Sequence, residues 1–399
     1  MIFSSATLFD YTRTDAPQPP KVVMSYGMGL DSSSLLLRWL EDPSSRDFDL
    51  DNLAVVTAMT GNEFDTTRAA VEKHILPRLR RARVRFIQVA RSERKTTRAG
   101  GGVVVLDDSR EPQHLHFSGL YTLGAEMLEA GTLPQLGGMR GCSIHSKANC
   151  LDPVIARITQ GERYRHVIGF EANEQSRATK DALYNTPVRQ GWYPLIEMGW
   201  DRAQCQRYVT EVVGETWHKS ACGFCVFAMA TDAGRTALVQ RYRQEPHVGA
   251  YALFLEYVAR CLNPRQTLIT GSSAAELVAT AQLTEVQDQF DAMLQRTSYA
   301  LYEVRRLTRR AKKTGRAMPA RSIEIIAHGS RRAMTEQLAS MPGRRDTGPD
   351  GIARHVVRDR ADHPCALEQF YVVAPAGVEP KARPGFHTWW QEATEAALL

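Results

Sequence analysis

Apolar runs and helix-like segments alternate over the first 230 residues of this 399-residue chain. Four short runs have the length and the β-branched content of buried strands: Val22 to Ser25, Leu53 to Ala58, Val84 to Val89 and His166 to Gly169. Strands that alternate with helices predict a doubly wound, mostly parallel sheet, so the expected fold class is α/β. The basic, Gly-rich stretch from Arg91 to Asp108 is expected to be a mobile loop near the C-terminal edge of that sheet.

Helical periodicity replaces this alternation after residue 230. It predicts long amphipathic helices from Arg235 to Cys261 and from Ser273 to Lys313, followed by a looser region rich in Pro, Gly and Arg from Met341 to Pro384. A doubly wound α/β domain followed by a helical C-terminal region is therefore expected. The predicted parts are an N-terminal extension (1–20), the α/β domain (21–230), a helical domain (231–340) and a loosely structured C-terminal region (341–399).

A Gly- and Ser-rich turn follows the first strand and opens directly into an amphipathic helix, in the sequence KVVMSYGMGLDSSSLLLRWL of residues 21–40. Gly27 and Gly29 allow the backbone to approach an anion without Cβ clashes. Amides at the helix start can bond phosphate oxygens, and so can the hydroxyls of Ser25, Ser32, Ser33 and Ser34. The turn predicts a phosphate cradle, although a plain strand-to-helix turn would use similar residues. It contains neither the Gly-Lys-Ser/Thr of the Walker loop nor G-x-G-x-x-G.

The composition is that of an ordinary globular protein, with 43% apolar residues, 24% charged residues and a formal net charge of +6. The first residues have no continuous apolar core, and the longest apolar run, Val103 to Leu106, is far shorter than a membrane span. We therefore expect no signal peptide, no membrane partner and a cytoplasmic location.

Basic residues are concentrated near the end of the second long helix. Eight of them, and no acidic residue, occur in one short stretch: Arg305, Arg306, Arg309, Arg310, Lys312, Lys313, Arg316 and Arg321. Positions 305, 309, 313 and 316 would share one face of the helix expected from Leu283 through Ala311. This basic helix, Arg305–Lys313, is a candidate surface for the phosphate backbone of DNA. A solvated helix end whose arginines complement the helix dipole is an equally good explanation.

Seven cysteines occur in a chain too large to need disulfides, which favours metal binding in a reducing compartment. Cys222 and Cys225 form a C-x-x-C, and Cys142 and Cys150 form a second, wider pair. Four thiolates from two loops suit zinc or a 4Fe-4S cluster, and spacing alone favours zinc. A core position is the alternative, most of all for Cys150. We also predict core positions for two further cysteines, Cys205 and Cys261.

The Gly/Ser turn resembles the PP-loop of the ATP pyrophosphatase superfamily (adenine-nucleotide alpha-hydrolases), usually Ser-Gly-Gly-x-Asp-Ser. Here it is Ser25-Tyr26-Gly27-Met28-Gly29-Leu30-Asp31-Ser32, with two extra residues, a form similar to loops of sulfonucleotide-reductase-like proteins from phages and bacterial DNA-modification clusters. Four later segments resemble reductase motifs in the family order. They are Thr60-Gly61-Asn62-Glu63, which lacks a leading Asp; Cys142-Ser143 with Lys147, for Cys-Cys-x-x-x-Lys; Gly169 to Arg177, for Gly-x-Arg-x-x-Glu-Ser-x-x-Arg with Glu171 in place of Arg; and Tyr193-Pro194-Leu195-Ile196 with Trp200-Asp201.

This resemblance implies ATP and Mg²⁺ as cofactors, with attack at the α-phosphorus to give an adenylate and pyrophosphate. It assigns catalytic roles to Asp31, Lys147 and Arg177. Nucleotide-binding roles fall on Ser25, Gly27, Gly29, Asp31, Ser32, Ser33, Gly61, Glu63 and Glu174. It also favours a 4Fe-4S cluster over zinc on Cys142, Cys150, Cys222 and Cys225, because iron-sulfur reductases place a C-x-x-C about eighty residues after the first cysteine segment, as here.

Three functions share this scaffold. The favoured one is an ATP pyrophosphatase that activates a substrate for sulfur transfer, plausibly in DNA phosphorothioation, with a cysteine desulfurase and other modification proteins as partners. The second is a sulfonucleotide reductase, which needs a mobile C-terminal Cys; Cys365, the only thiol in the tail, has different neighbours from the Glu-Cys-Gly-x-His of that family. The third is a non-catalytic nucleotide-binding subunit of a modification or defence complex.

Overall fold

The computed structural model describes residues 18–97, 99–136, 141–310, 315–362 and 366–396. Cys365 and the predicted DNA-binding residues Lys312 and Lys313 lie outside this part of the chain. The chain divides into two units. The first contains three stretches of the chain: the part up to Met59, Thr66–Gly119 and Lys147–Ser220. The second contains Thr60–Asp65, Leu120–Ser146 and the chain from Ala221 onwards.

The described residues contain strands and helices throughout. The strands are β1 (Val22–Ser25), β2 (Leu53–Met59), β3 (Arg85–Arg91), β4 (Val103–Ser109), β5 (Tyr164–Ile168), β6 (Arg189–Trp192), β7 (Tyr299–Arg310), β8 (Ala317–Gly329), β9 (Arg344–Thr347), β10 (Ala353–Arg358), β11 (Glu368–Pro375) and β12 (Lys381–Ala382). The α-helices are α1 (Leu30–Glu41), α2 (Asp65–Ala70), α3 (Leu76–Arg81), α4 (Leu123–Ala130), α5 (Gly141–Ser143), α6 (Asn149–Thr159), α7 (Gln175–Ala182), α8 (Pro194–Glu197), α9 (Arg202–Val213), α10 (Asp232–Gln244), α11 (Pro246–Leu262), α12 (Ala274–Thr280), α13 (Thr284–Arg296), α14 (Arg331–Ala339) and α15 (Phe386–Ala396).

The sheet of the first unit has the order β4-β3-β2-β1-β5-β6. β1 pairs in parallel with β2 and β5, so that Val22 lies opposite both Leu53 and Arg165. β3 and β6 extend the sheet in parallel, and β4 pairs antiparallel with β3. The predicted α/β class with a mostly parallel sheet is confirmed. The loop predicted from Arg91 to Asp108 is wrong in its second half, because the β-branched run at its end forms β4.

The central strand β1 is covered on both faces, as parallel strands usually are. Its side chains alternate between the faces. Val22 and Met24 join an apolar cluster with Leu35 of α1, whereas Val23 joins a separate cluster with Val154 of α6. Helices therefore lie on both sides of the sheet, and β1 ends between them with the loop that leads to α1.

The order of the strands reverses at β1. The chain moves outward from β1 through β2 to β3, and later returns to the other side of β1 to form β5 and β6. In open α/β sheets of this kind, ligands bind outside the carboxyl ends of the strands at the point of reversal. The loops that follow β1 and β5 lie at that point.

The second unit contains an antiparallel sheet in the order β12-β8-β7-β11-β10-β9. One face of this sheet packs against α11, where Phe254 and Val258 share an apolar cluster with Tyr302 and Val304 of β7. The prediction of a purely helical C-terminal region is therefore wrong. The region from 341 onwards, predicted to be loosely structured, contains β9 to β12 and α15. None of the helices in the described residues is long and apolar enough to cross a membrane.

The two long helices predicted for this unit are also shorter than expected. Pro246 starts a new helix, so the first divides into α10 and α11. The second divides into α12 and α13 and ends at Arg296. The predicted DNA-binding stretch Arg305–Lys313 begins inside strand β7, where Val304 pairs with Ile323. Arg305 and Arg306 therefore point to opposite faces of a sheet, and residues 305–310, the part of this stretch that the structure describes, form a strand and not a one-sided helix.

Three of the four arginines of β7 lie beside carboxylates. Arg305 pairs with Glu324, Arg306 lies 3.5 Å from Glu368, and Arg309 lies 3.6 Å from Glu392. Arg306 is also buried, at 7% exposure. Three of the eight basic residues predicted to bind DNA therefore have carboxylate partners within the second unit.

Candidate functional site

The backbone between β1 and α1 leaves a row of amide groups without helical partners. Tyr26 N–H prolongs the strand pairing by donating to the Val56 carbonyl at 2.8 Å. The first helical bond of α1 runs from Ser33 N–H to the Gly29 carbonyl at 2.9 Å, so residues 30–32 have no acceptor within the helix. Gly29 is the N-cap residue and has no side chain to cap them. The helix start thus offers amides and the positive end of its dipole to an anion.

Two side chains donate hydrogen bonds to backbone carbonyls of this loop. The Ser220 hydroxyl donates to the Gly27 carbonyl at 2.5 Å, and Trp217 Nε1–H donates to the Met28 carbonyl at 3.1 Å. In a trans peptide the carbonyl and the following N–H point in opposite directions, so the Met28 and Gly29 amides face away from these donors. Met28 has a φ of 59°, in the left-handed region. Successive amides around such a residue form a concave anion-binding arrangement.

Close backbone approach explains two glycines at this site. A Cβ on Gly169, directly after β5, would lie 2.9 Å from Ser32 Cα and 3.0 Å from Ser32 N. A Cβ on Gly29 would lie 3.3 Å from Ser220 N and 3.1 Å from Ser220 Oγ. The loop after β5 is therefore seated against the first turn of α1, which brings both sides of the strand-order reversal together.

The four hydroxyls predicted to bind phosphate differ in their surroundings. Ser33 and Ser34 are fully buried; Ser33 Oγ lies 3.0 Å from the Tyr26 hydroxyl, and Ser34 Oγ donates to the Asp31 carbonyl at 2.9 Å. Ser32 Oγ donates to the Gly29 carbonyl at 3.2 Å. These three hydroxyls stabilise the helix start from within. Ser25, which is half-buried at the end of β1, remains as the hydroxyl available to a ligand.

A buried histidine contacts the Ser25 hydroxyl. His166 of β5 has Nε2 2.8 Å from Ser25 Oγ, and its Nδ1 accepts from Arg189 Nε–H at 2.8 Å. Asp181 holds the guanidinium of Arg189 at 2.7 Å and accepts from the Tyr193 hydroxyl at 2.8 Å. Burial, followed by the charge of Arg189, lowers the pKa of His166 to about 4. The ring is therefore neutral at physiological pH.

The first unit is expected to lose stability as the pH falls from about 6.5 to about 4. Because the pKa of His166 is lowered from 6.5 to about 4, the unfolded chain takes up this proton before the folded chain does. The stabilisation is complete above the unfolded pKa and is lost as the pH falls through the folded one, by about 3 kcal/mol in the free energy of unfolding. The charged or titratable groups around the ring are Arg189, Asp181 and Tyr164.

Denaturant unfolding between neutral pH and about pH 4 measures this loss. His166→Gln should remove most of the pH dependence in this range. His116→Gln, which changes an exposed histidine of the same unit, should leave it intact. An unchanged pH dependence in His166→Gln would contradict the prediction.

Three carboxylates surround one guanidinium beside the cradle. Arg202, the first residue of α9, contacts Asp31 of α1 through Nη2 at 3.2 Å and Nε at 3.4 Å. Glu171 and Glu174 also act electrostatically on Arg202 and Asp31. Burial raises the pKa of Asp31 above its ordinary value, and Arg202 opposes this effect. Carboxylate oxygens are the donors that Mg²⁺ prefers, but the oxygens of these three carboxylates do not converge within 4.8 Å of one another in the described residues, so they do not form a ready Mg²⁺ site.

The other predicted catalytic residues lie in the same unit. Arg177 donates to Glu174 at 2.6 Å and stacks over Phe170 at 4.4 Å, so its guanidinium is oriented along the start of α7. Lys147 is half-buried in the turn before α6. Glu171, which stands where the family has Arg, is buried and accepts from the Asn173 amide at 2.9 Å. It therefore caps the turn after β5.

The loop Thr60–Glu63, which belongs to the second unit, is organised by the carboxylate of Glu63. This carboxylate accepts from the amides of Thr60, Gly61 and Asn62 at 2.9 to 3.1 Å and from the Thr60 hydroxyl at 2.7 Å. Asn62 Oδ1 accepts from the Gly124 amide at 2.7 Å. Glu63, which was predicted to bind nucleotide together with Gly61, therefore fixes the conformation of its own loop.

The C-x-x-C turn is attached to this loop. Glu63 and Cys222 form an isolated β-bridge, and Gly223 N–H donates to the Asn62 carbonyl at 2.9 Å. The thiols of Cys222 and Cys225 are hydrogen-bonded to each other, and this contact, with burial, raises the pKa of Cys222 well above its ordinary value. Cys142 is near enough to contribute to the same shift. Three of the four predicted metal ligands therefore lie close together.

Cys150 has different surroundings from the other three. It belongs to the first unit and is fully buried in the apolar cluster of Val23 and Val154. Burial raises the pKa of its thiol to about 11. Cys205 and Cys261 are fully buried as well, which confirms the prediction that they are core residues. Cys150 thus lies among apolar core side chains, whereas the other three predicted ligands lie near one another.

A further group of donor atoms occurs in the second unit. Oxygen or nitrogen atoms of Asp65, Glu245 and His247 lie within 4.8 Å of one another. The Asp65 amide donates to Glu245 at 2.5 Å, and His247 Nε2 lies 3.3 Å from Asp65 Oδ2. The spacing of these residues in the sequence gave no signal for such a group.

Five residues that shape the cradle were missed by sequence reasoning: His166, Arg189, Arg202, Trp217 and Ser220. Each acts through a contact with a residue far away in the sequence, so local motifs do not reveal it.

The chain matched no protein-family model, no curated protein and no solved structure.

Proposed function

We propose that the first unit binds ATP through its phosphates and cleaves it between the α- and β-phosphates, forming an adenylate and pyrophosphate. The observation that carries this proposal is that Trp217 and Ser220 donate hydrogen bonds to the Met28 and Gly27 carbonyls. The amides that follow these carbonyls then point the other way and are directed at a ligand. These amides, the start of α1 and the Ser25 hydroxyl form one set of donors at the reversal of the strand order. The resemblance to PP-loops selects ATP among phosphate ligands.

Charge stabilisation and positioning supply most of the catalysis in reactions of this kind. The cradle amides hold the leaving pyrophosphate, and Ser25 donates to one of its oxygens. Mg²⁺ would neutralise phosphate charge when it is bound with the nucleotide, and Asp31 is the carboxylate of the cradle that would contact it. Arg202 fixes the direction of the Asp31 carboxylate. Lys147 and Arg177 face the reacting phosphate and stabilise the charge that develops there.

Sulfur transfer to the adenylated substrate is the second part of the proposal. Cys142, Cys222 and Cys225 are its proposed metal ligands, Cys150 is the fourth ligand that the sequence predicts, and a 4Fe-4S cluster is favoured with zinc as the alternative. Its support is the family resemblance together with the proximity of Cys142, Cys222 and Cys225. DNA is the proposed acceptor and a cysteine desulfurase the proposed sulfur donor.

The products of ATP turnover test the proposal. Incubation with Mg²⁺ and candidate acceptors should release AMP and pyrophosphate, and Asp31→Asn should reduce this activity by a factor of about 100 or more. Glu211→Gln, which changes an exposed carboxylate of α9, is the matched control and should keep full activity. ADP and inorganic phosphate as products would contradict the proposal.

A further inference from the structure

We propose that His166 is a positioning residue that fixes the direction of the Ser25 hydroxyl, so that this hydroxyl donates to the bound phosphate. The inference rests on the proposed function, since it concerns the same cradle. It adds a residue that no phosphate-loop motif contains, because His166 lies 141 positions away from Ser25 in the sequence.

Arg189 determines which nitrogen of His166 carries the proton. A guanidinium has only donors, so the 2.8 Å contact from Arg189 Nε to Nδ1 requires a lone pair on Nδ1. In a neutral imidazole the proton then sits on Nε2. Nε2 lies 2.8 Å from Ser25 Oγ, so Nε2–H is the donor in that contact.

The contacts behind Arg189 keep this arrangement in place. Its Nη2 donates to Asp181 at 2.7 Å and its Nη1 donates to Asn185 at 3.0 Å. His166 is 8% exposed, so water has little access to its ring. Burial and the adjacent guanidinium also keep the pKa of His166 near 4, which excludes the doubly protonated ring at neutral pH.

Ser25 therefore accepts from His166 and keeps its own proton for another partner. Phosphate oxygens are acceptors, so a hydroxyl directed in this way matches them. With the opposite tautomer, Ser25 would donate to Nε2 and would present a lone pair to the phosphate, which is repulsive. The series of hydrogen bonds from Asp181 through Arg189 and His166 to Ser25 therefore favours the binding of an anion at the end of β1.

Nitrogen-15 NMR of the histidines in the wild-type protein tests the tautomer directly. We expect His166 to be neutral with its proton on Nε2 from about pH 5 to about pH 9, both alone and with pyrophosphate. A proton on Nδ1, or an imidazolium at neutral pH, would overturn the inference whether or not pyrophosphate binds.

A double-mutant cycle tests the effect on binding, with magnesium pyrophosphate as the probe in calorimetric titrations. Ser25→Ala and His166→Phe should each weaken binding by a factor of about 10, and the double variant should be no weaker than Ser25→Ala alone. His166→Gln keeps an N–H donor and should bind within a factor of about 3 of the wild type.

The outcomes separate this inference from the proposed function. Wild-type affinity in a folded His166→Phe, or losses that multiply in the double variant, would overturn the role of His166 while the cradle stands. If the wild type binds neither pyrophosphate nor ATP, the proposed function is wrong, and a phosphate is not the partner of the Ser25 hydroxyl. If His166→Phe does not fold, the tautomer measurement and His166→Gln decide the inference.

Discussion

Replacing Gly169 by valine should weaken the binding of magnesium pyrophosphate by a factor of about 100 or more. A Cβ at this position would meet Ser32 Cα at 2.9 Å and Ser32 N at 3.0 Å, and these are backbone atoms of the first turn of α1. They cannot rotate away as a side chain can, so the helix start must move. A moved helix start loses amide bonds to the anion, and the loss of two such bonds, at about 1.5 to 3 kcal/mol each, gives a change of this size.

Gly27→Ala is the matched control for the fold. The nearest atom to its new Cβ is Ser32 Oγ at 3.9 Å, an ordinary contact, so the free energy of unfolding should stay near that of the wild type. Calorimetric titration gives the affinities, and denaturant unfolding shows that each variant is folded. Full affinity in Gly169→Val would mean that the start of α1 does not bind the anion.

Cys222→Ser should remove nearly all protein-bound metal from protein purified without oxygen. The wild type is expected to be brown and to hold about four irons on its thiolates. The raised pKa of Cys222 means that its thiol must lose a proton when metal binds, so affinity should rise with pH and binding should release protons. Metal analysis together with the absorption spectrum measures the content.

Two further variants divide the ligand set. Cys205→Ala removes a core cysteine of the first unit and should keep the full metal content. Cys150→Ser decides the fourth ligand, because full iron in this variant would exclude Cys150. Stoichiometric zinc without iron in the wild type would refute the cluster.

The first unit was largely predictable because its signals are local. Buried parallel strands such as Val22–Ser25 and Leu53–Met59 are short β-branched runs, and a Gly/Ser turn before an apolar helix marks the cradle. Strand β7 was not predictable in the same way. Its sequence, YALYEVRRLTRR, places arginines at spacings that fit a helix, and only its pairing with β8 and β11 makes it a strand.

The candidate site was predictable only where its chemistry lies in the loop itself. Ser25 and Asp31 could be identified from the turn. Burial of Ser33 depends on how α1 packs, and the partners of Ser25 and Asp31 are His166 and Arg202, which come from other elements. Contacts between residues so far apart are set by tertiary packing, which single-sequence patterns do not encode.

The anchors of the cradle arrive late during protein synthesis. The carbonyls of Gly27 and Met28 are held by residues that follow them by 193 and 189 positions. A nascent chain that has emerged only as far as β5 has its central strand and its Gly/Ser turn, but neither Ser220 nor Trp217 to turn the amides. Such a chain therefore cannot assemble the complete cradle, and ATP binding through it would begin only after residue 220 has left the ribosome.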